Sequence, residues 1–335
     1  MSVFGYDPSR YLIGRAAIEA RSMGIQAGAG DVLFRCNLVT VKDGRMEDYS
    51  AGHISTDEAR QLIEALNKAL GSDKLHFYPG VSYRHIARIT GRMDTLLAEC
   101  TPPHDISGKP IAEFLPSGQG SDMLRDLMKR SEAVLREHPV NAARRARGES
   151  PATTIWLFWG SGNPTALPAF KQAYGLEAAV TSAVDVIRGL ARMSGMDVLE
   201  IPGVKDGMDN DFAGQTKGAL AALEKKDLVV IHIEATDEAG HTGSIDDKVE
   251  AIQKTDSEVI SRLRAWKGGA LRVLIMPDHP TPIVTRTHNP DPVPFLLWGD
   301  GFASNGAKRF TEKEAAERGL FLDPGYSIMS RLVGK

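Results

Sequence analysis

The 335-residue chain carries 40 basic and 43 acidic side chains, a formal net charge of −3, and 42% apolar residues. That balance is ordinary for a globular protein. It supplies neither the basic surplus nor the long basic run that nucleic-acid or anionic-membrane binding requires, so neither partner is expected. The length predicts two or three domains, because one hydrophobic core rarely grows past about 250–300 residues.

The two cysteines, Cys36 and Cys100, form no C-x-x-C pair. This argues against a disulfide framework and a thiolate zinc site, and fits a reducing, cytoplasmic setting. The first residues lack the basic start and apolar core of a signal peptide. The longest uncharged stretch, residues 150–170, is broken by prolines and glycines, so it cannot span lipid as a helix. A soluble protein is expected.

Residues 15–23 read as a short helix ended by Gly24, and 31–41 as a strand leading into an Asp43-Gly44 hairpin turn. Ser55 and Glu58 form a capping box ahead of Ala59, Leu62, Ile63, Leu66 and Leu70, the clearest helix start in the chain. Strands at 74–78 and 82–89 follow. The Pro/Gly-rich stretch 101–120, interrupted by His104, Asp105 and Lys109, reads as a functional loop. A helix at 123–137 and an arginine cluster (Arg144, Arg145, Arg147) precede the apolar run 153–159, a buried strand containing Trp156 and Trp159. Beyond it, short β runs at 178–180, 198–201, 227–234, 272–276 and 294–298 are mostly separated by helices at 182–193, 212–225 and 248–266. This alternation predicts an α/β fold with a mostly parallel sheet covered by helices on both faces.

In an open parallel sheet, ligands bind at the carboxyl ends of strands. Two such ends carry Asp237-Glu-Ala-Gly-His241 and Asp278-His279-Pro-Thr-Pro, and His288-Asn-Pro-Asp-Pro follows nine residues after His279. Taken singly, an Asp-x-x-x-His pair reads as a surface charge pair and an Asp-His dipeptide as a capped turn. Together, imidazoles and carboxylates after consecutive strands are the ligand mix of a dinuclear Mn²⁺, Zn²⁺ or Fe²⁺ site.

These motifs resemble those of the archaeal-type, 2,3-bisphosphoglycerate-independent phosphoglycerate mutases of the alkaline phosphatase-like superfamily. The resemblance extends in order through Gly5-Tyr-Asp-Pro8, Gly14-Arg-x-x-x-Glu19-Ala, Phe34-Arg-Cys-Asn37, Tyr83-Arg-His85, His104-Asp105 and Gly160-Ser-Gly162. It implies a metalloenzyme domain begun at residues 1–26 and resumed at 150–335, with a smaller substrate-binding lid domain inserted at 27–149. It implies interconversion of 3- and 2-phosphoglycerate through a phosphoserine, with two divalent cations, Mn²⁺ foremost and Mg²⁺, Zn²⁺ or Co²⁺ as alternatives, and no 2,3-bisphosphoglycerate. Asp237, His241 and His288 would hold one cation, and Asp278 and His279 the second. Arg35, Arg84, His85, His104, Asp105 and Lys248 would grip the phosphorylated metabolite, arginine offering the bidentate fork that oxyanions favour.

In the family, a segment upstream of Gly-Tyr-Asp-Pro supplies the first strand, an Asp-Gly metal loop and the nucleophilic serine. No stretch of this chain matches it; Ser2 lies too close to Gly5 and has no Asp after it. The resemblance therefore identifies no catalytic nucleophile here. It sets the expectation that residues 1–335 alone bind one metal better than two and show little or no mutase activity, through an internal start codon, a truncated lineage or a fragment. Two other functions stand beside it: a phosphatase or phosphomutase acting on another small phosphate ester, and an inactive relative that only binds ligand.

Overall fold

Strand β1 (Asp31–Lys42), with its first ten residues buried, organises one part of the molecule. The computed structural model describes residues 1–11, 13–162, 167–318 and 320–335, so residues 163–166 of the uncharged stretch lie outside the described residues. The chain forms two compact units, one of Leu12–Thr165 and one of Met1–Tyr11 with Ala166–Lys335. Among the described residues, no helix is long and apolar enough to cross a membrane.

In the first unit, β1 pairs antiparallel with β2 (Arg45–Asp48) across the expected hairpin. It also pairs antiparallel with β4 (Arg84–Thr90) and β5 (Thr154–Ser161). Strand β3 (Leu75–Tyr78) extends the sheet on β4. Period-2 alternation along β1 builds two cores. Val32, Phe34, Cys36 and Leu38 join the larger one, which includes residues of α2 (Thr56–Leu70), α3 (Ser121–Arg136) and α4 (Pro139–Ala146). On the other face, Leu33 packs with Ile86 and the alanines of α1 (Arg15–Ser22). Ser55 Oγ accepts from the Glu58 N–H and donates to its carboxylate at 3.0 Å, capping the helix at its start.

This unit is wider at both ends than the 27–149 insert read from the sequence. Helix α1 buries its alanine stripe on the sheet, and β5 pairs along β1 from Leu33 to Val39. The run 153–159 therefore belongs to an antiparallel sheet. Trp156 is fully buried, its indole N–H donating to the Thr101 carbonyl at 2.8 Å.

The second unit contains the α/β alternation. Helix α5 (Phe170–Tyr174) precedes β6 (Ala178–Thr181), which pairs in parallel with β7 (Asp197–Val198) and β8 (Leu228–Ile231). Helices α6 (Asp185–Met193) and α7 (Phe212–Leu223) make the connections. After β8 come α8 (Ala235–Thr242) and α9 (Ile245–Lys254), the latter running through a π-helical turn (Thr255–Ile260) into α10 (Ser261–Arg264). Strands β9 (Arg272–Ile275) and β10 (Leu296–Gly299) pair antiparallel with each other. Helices α11 (Glu312–Glu317) and α12 (Ile328–Val333) follow. The expected mostly parallel sheet is thus present as three strands. Among the described residues, the β9–β10 pair is a separate sheet.

Candidate functional site

Strand β8 ends at Ile231, and the chain turns through residues 232–234 into α8, which places Asp237 and His241 one turn apart on one face. Strand β9 ends at Ile275, and the loop after it carries Asp278, His279, Thr281 and His288. Helix and loop meet closely at Gly240, where a Cβ would lie 2.5 Å from the Thr281 carbonyl oxygen. Only hydrogen fits there. Gly243, with a φ of +76°, ends α8 in the left-handed region beside the Arg286 guanidinium.

All five metal-ligand candidates come together. Asp237 Oδ2 lies 3.1 Å from His241 Nε2, and Oδ1 lies 3.4 Å from His288 Nε2 and 3.9 Å from His279 Nδ1. The two Nε2 atoms of His241 and His288 are 3.1 Å apart. The His279 and His288 rings stack at 3.7 Å between centroids, and Asp278 Oδ2 sits 3.4 Å from His279 Nε2. One atom each of Asp237, His279 and His288 lies within 4.8 Å of the others. Thr281 Oγ1 donates to Asp237 Oδ1.

The surroundings suit ligation. His241 Nδ1 faces the Arg286 carbonyl at 3.0 Å. A carbonyl can only accept, so the His241 proton sits on Nδ1 and its Nε2 lone pair points at the cluster, the arrangement that orients a ligating imidazole. Lys248, near the start of α9, donates to the Thr281 carbonyl at 2.8 Å, and burial holds its ammonium below the ordinary range against the pull of Asp237.

Two residues that the motif reading passed over complete the cluster. Glu234, at the head of α8, is pushed up to about 7 by burial and by the neighbouring Asp237 and Asp278 carboxylates. His232 lies 3.4 Å from it and is held below the ordinary imidazole range by burial. A sequence signal existed: a polar His-Ile-Glu triplet directly follows the apolar Leu228–Ile231 strand.

The remaining substrate candidates lie in the other unit. Arg35 is buried on the α1 face of the sheet, ion-paired with Glu19 and donating to Asn37 Oδ1 at 3.1 Å; burial lowers its pKa while Glu19 opposes that shift. The charge inside an apolar strand is answered by the helix that covers it. His85 is 1% exposed, accepts from the Gly80 N–H at 3.0 Å, and is pushed down to about 3 by burial. Arg84 is exposed over the Tyr83 ring. Next to Trp159, whose φ is +52°, are the His104 ring at 5.7 Å and the Arg15 guanidinium at 4.3 Å. Asp105 is 3.7 Å from His104 Nε2. Arg144 is structural: buried, paired with Glu58 at 2.7 Å and donating to the Ala51 and Ser150 carbonyls.

Fold and cluster together define an α/β protein with carboxylates and imidazoles gathered just beyond the carboxyl ends of two strands. The family model for 2,3-bisphosphoglycerate-independent phosphoglycerate mutase matches residues 1–141. Relatives of that name from Methanosarcina barkeri and Methanothrix thermoacetophila are 44% and 45% identical, over 99% of this chain and 84% of theirs. A solved Pyrococcus horikoshii protein superposes with a TM-score of 0.80 at 26% identity, over 99% of this chain and 81% of that one. The chain belongs to the 2,3-bisphosphoglycerate-independent phosphoglycerate mutase family.

Proposed function

We propose that the protein interconverts 3-phosphoglycerate and 2-phosphoglycerate without 2,3-bisphosphoglycerate, by phosphoryl transfer through a serine at a centre for two divalent cations. The observation that carries this reading is the convergence of Asp237, His241, His279 and His288 on one another, with Asp278 beside His279. The donor set fits the group: imidazole nitrogens and carboxylate oxygens, with no thiolate, suit Mn²⁺ and its neighbours. Asp237, His241 and His288 would hold one cation, Asp278 and His279 the other. When bound, such a pair polarises the phosphoryl group and lowers the proton affinity of an attacking oxygen.

The chain's own residues supply the rest. Thr281 and the Arg286 carbonyl orient Asp237 and His241. Lys248, tethered to the Thr281 carbonyl, would offer its ammonium to an anionic group of the substrate. Arg84, His104 and Asp105, whose side chains reach solvent, are the groups for the glycerate and its phosphate. Arg35 and His85 are enclosed and support the sheet beneath them. No residue among 1–335 is assigned as the phosphoryl-accepting serine. The reading places the enzyme in the cytoplasm, in glycolysis and gluconeogenesis, where two unpaired cysteines are at home.

The test is a 3-phosphoglycerate to 2-phosphoglycerate assay on the natural translation product. Conversion is expected without added 2,3-bisphosphoglycerate, lost on chelation and restored by Mn²⁺. Release of inorganic phosphate with no 2-phosphoglycerate would instead establish a phosphatase.

A further inference from the structure

Ser182 and His232 directly follow neighbouring parallel strands, since Thr181 of β6 is in register with Ile231 of β8. The His232 backbone is fixed on both sides. Its N–H donates to the Thr181 carbonyl at 3.0 Å, and its carbonyl accepts from Gln215 Nε2 at 3.0 Å. Gln215 is itself held by Asn210 Nδ2 at 2.9 Å. The ring is therefore aimed by the sheet and by a buried amide pair.

The side chains run in one direction. The Val184 N–H donates to Ser182 Oγ at 3.0 Å, and Ser182 Oγ lies 3.0 Å from His232 Nδ1. With the imidazole proton on Nε2, the nitrogen that faces the Glu234 carboxylate, Nδ1 is the acceptor and the Ser182 hydroxyl, which keeps its own proton, the donor. Nε2 faces Glu234 Oε2 at 3.4 Å, and a Glu234 carboxylate oxygen lies within 4.8 Å of ligand atoms of Asp237 and Glu238. Burial, which holds His232 below the ordinary imidazole range, keeps the ring neutral with a single N–H.

The arrangement is not a nucleophilic triad. In that constellation the serine bonds the nitrogen that takes its proton, the acid orients the other nitrogen, and the hydroxyl faces substrate. Here Ser182 is 1% exposed and its oxygen is occupied by a backbone N–H.

We propose that Ser182 and His232 are positioning residues that aim the Glu234 carboxylate at the Asp237 side of the centre, where Glu234 strengthens divalent-cation binding. The inference rests on the reading of Asp237, His241, Asp278, His279 and His288 as a cation centre, and adds to it a carboxylate outside that set. Partners of this kind, acting one step behind the ligands, are worth 10–100-fold in metal affinity.

The test is Mn²⁺ affinity by electron paramagnetic resonance for the wild type, S182A, E234Q and the double variant, with circular dichroism to verify folding. Long-range ¹H–¹⁵N correlation of histidine-labelled protein reads the His232 tautomer. The expected results are binding weakened roughly 10–100-fold by E234Q and in the same direction by S182A. The double variant is then no weaker than E234Q alone, and His232 is protonated on Nε2. Unchanged affinity in E234Q, additive losses in the double variant, or a proton on Nδ1 would each overturn the proposal. Should S182A fail to fold, E234Q and the tautomer still decide. A wild type that binds no Mn²⁺ overturns the centre itself; tight wild-type binding unaffected by E234Q overturns only the positioning role.

Discussion

His241 and His288 meet nitrogen to nitrogen, Nε2 to Nε2 at 3.1 Å, and one carboxylate, Asp237, reaches both. Two imidazole nitrogens that close share either a proton or a cation. With His241 Nδ1 turned to a carbonyl, the bridging proton comes from His288, and a bound cation must displace it. At acidic pH, where the rings are imidazolium, Mn²⁺ binding is therefore expected to release protons and to weaken as pH falls, whereas a neutral ring only moves its proton to Nδ1. Calorimetric titration in buffers of different ionisation enthalpy measures the release directly; a binding heat independent of buffer would contradict it. H288A is expected to weaken Mn²⁺ binding by more than about tenfold.

Gly240 is the point where α8 closes on the loop after β9. A methyl group there would press into the Thr281 carbonyl and side chain. G240A keeps every ligand candidate yet pushes Asp237 and His241 away from His279 and His288. Its Mn²⁺ affinity is expected to fall by roughly tenfold or more, in the range seen when groups behind the ligands are lost. An unchanged affinity would show that the helix position is not what sets the ligand spacing.

Arg144 shows the opposite use of charge. It is buried, pairs with Glu58 at 2.7 Å and Glu149 at 3.1 Å, and donates to the Ser150 and Ala51 carbonyls. R144A leaves the Ala51 and Ser150 carbonyls short of a donor and the half-buried Glu58 carboxylate with only Arg147 and Ser55, a loss of about 1–3 kcal/mol. Urea unfolding followed by tryptophan fluorescence, to which the buried Trp156 contributes, would register it. Mn²⁺ affinity should be untouched, because Arg144 belongs to the other unit.

His85 makes the stability of its unit depend on pH. Burial pushes it down to about 3 from an ordinary 6.5. Between those values the unfolded chain binds a proton that the folded chain refuses, so the contribution is fully present above about 6.5. It is lost progressively as pH falls toward 3, at roughly 1.4 kcal/mol per pH unit. Urea midpoints from pH 7 to 4 should fall less steeply in H85Q than in the wild type. Equal slopes would mean that the folded protein protonates His85 readily.

What could be read from the sequence was local or chemical. The helix start at Ser55 and Glu58 needs only a few residues of context, and the structure has Ser55 as the N-cap, accepting from the Glu58 N–H. The five ligand candidates stood out because acid and imidazole followed predicted strands, and the helix after β8 meets the loop after β9. Pairing partners far apart in the chain were not legible. The run 153–159 has the same apolar composition in a parallel or an antiparallel sheet, and its partner β1 lies more than a hundred residues upstream. Arg35 in β1 resembled a substrate group because its counter-charge, Glu19, sits on a separate helix. Glu234 and His232 matched no motif, and the polar side chains directly after β8 were the one signal of them in the sequence.

The pairing of β1 with β5 also orders events during synthesis. Until Ser161 has left the ribosome, one edge of β1 is open over the stretch Leu33 to Val39, an apolar template for pairing with other chains. The unit that follows must wait longer still, because Tyr174 and Pro168 bond back to Gly5 and Tyr6. The nascent protein thus finishes the unit of residues 12–165 before the other one can close. A ribosome pause placed before β5 would expose more aggregation-prone surface than one placed just after it.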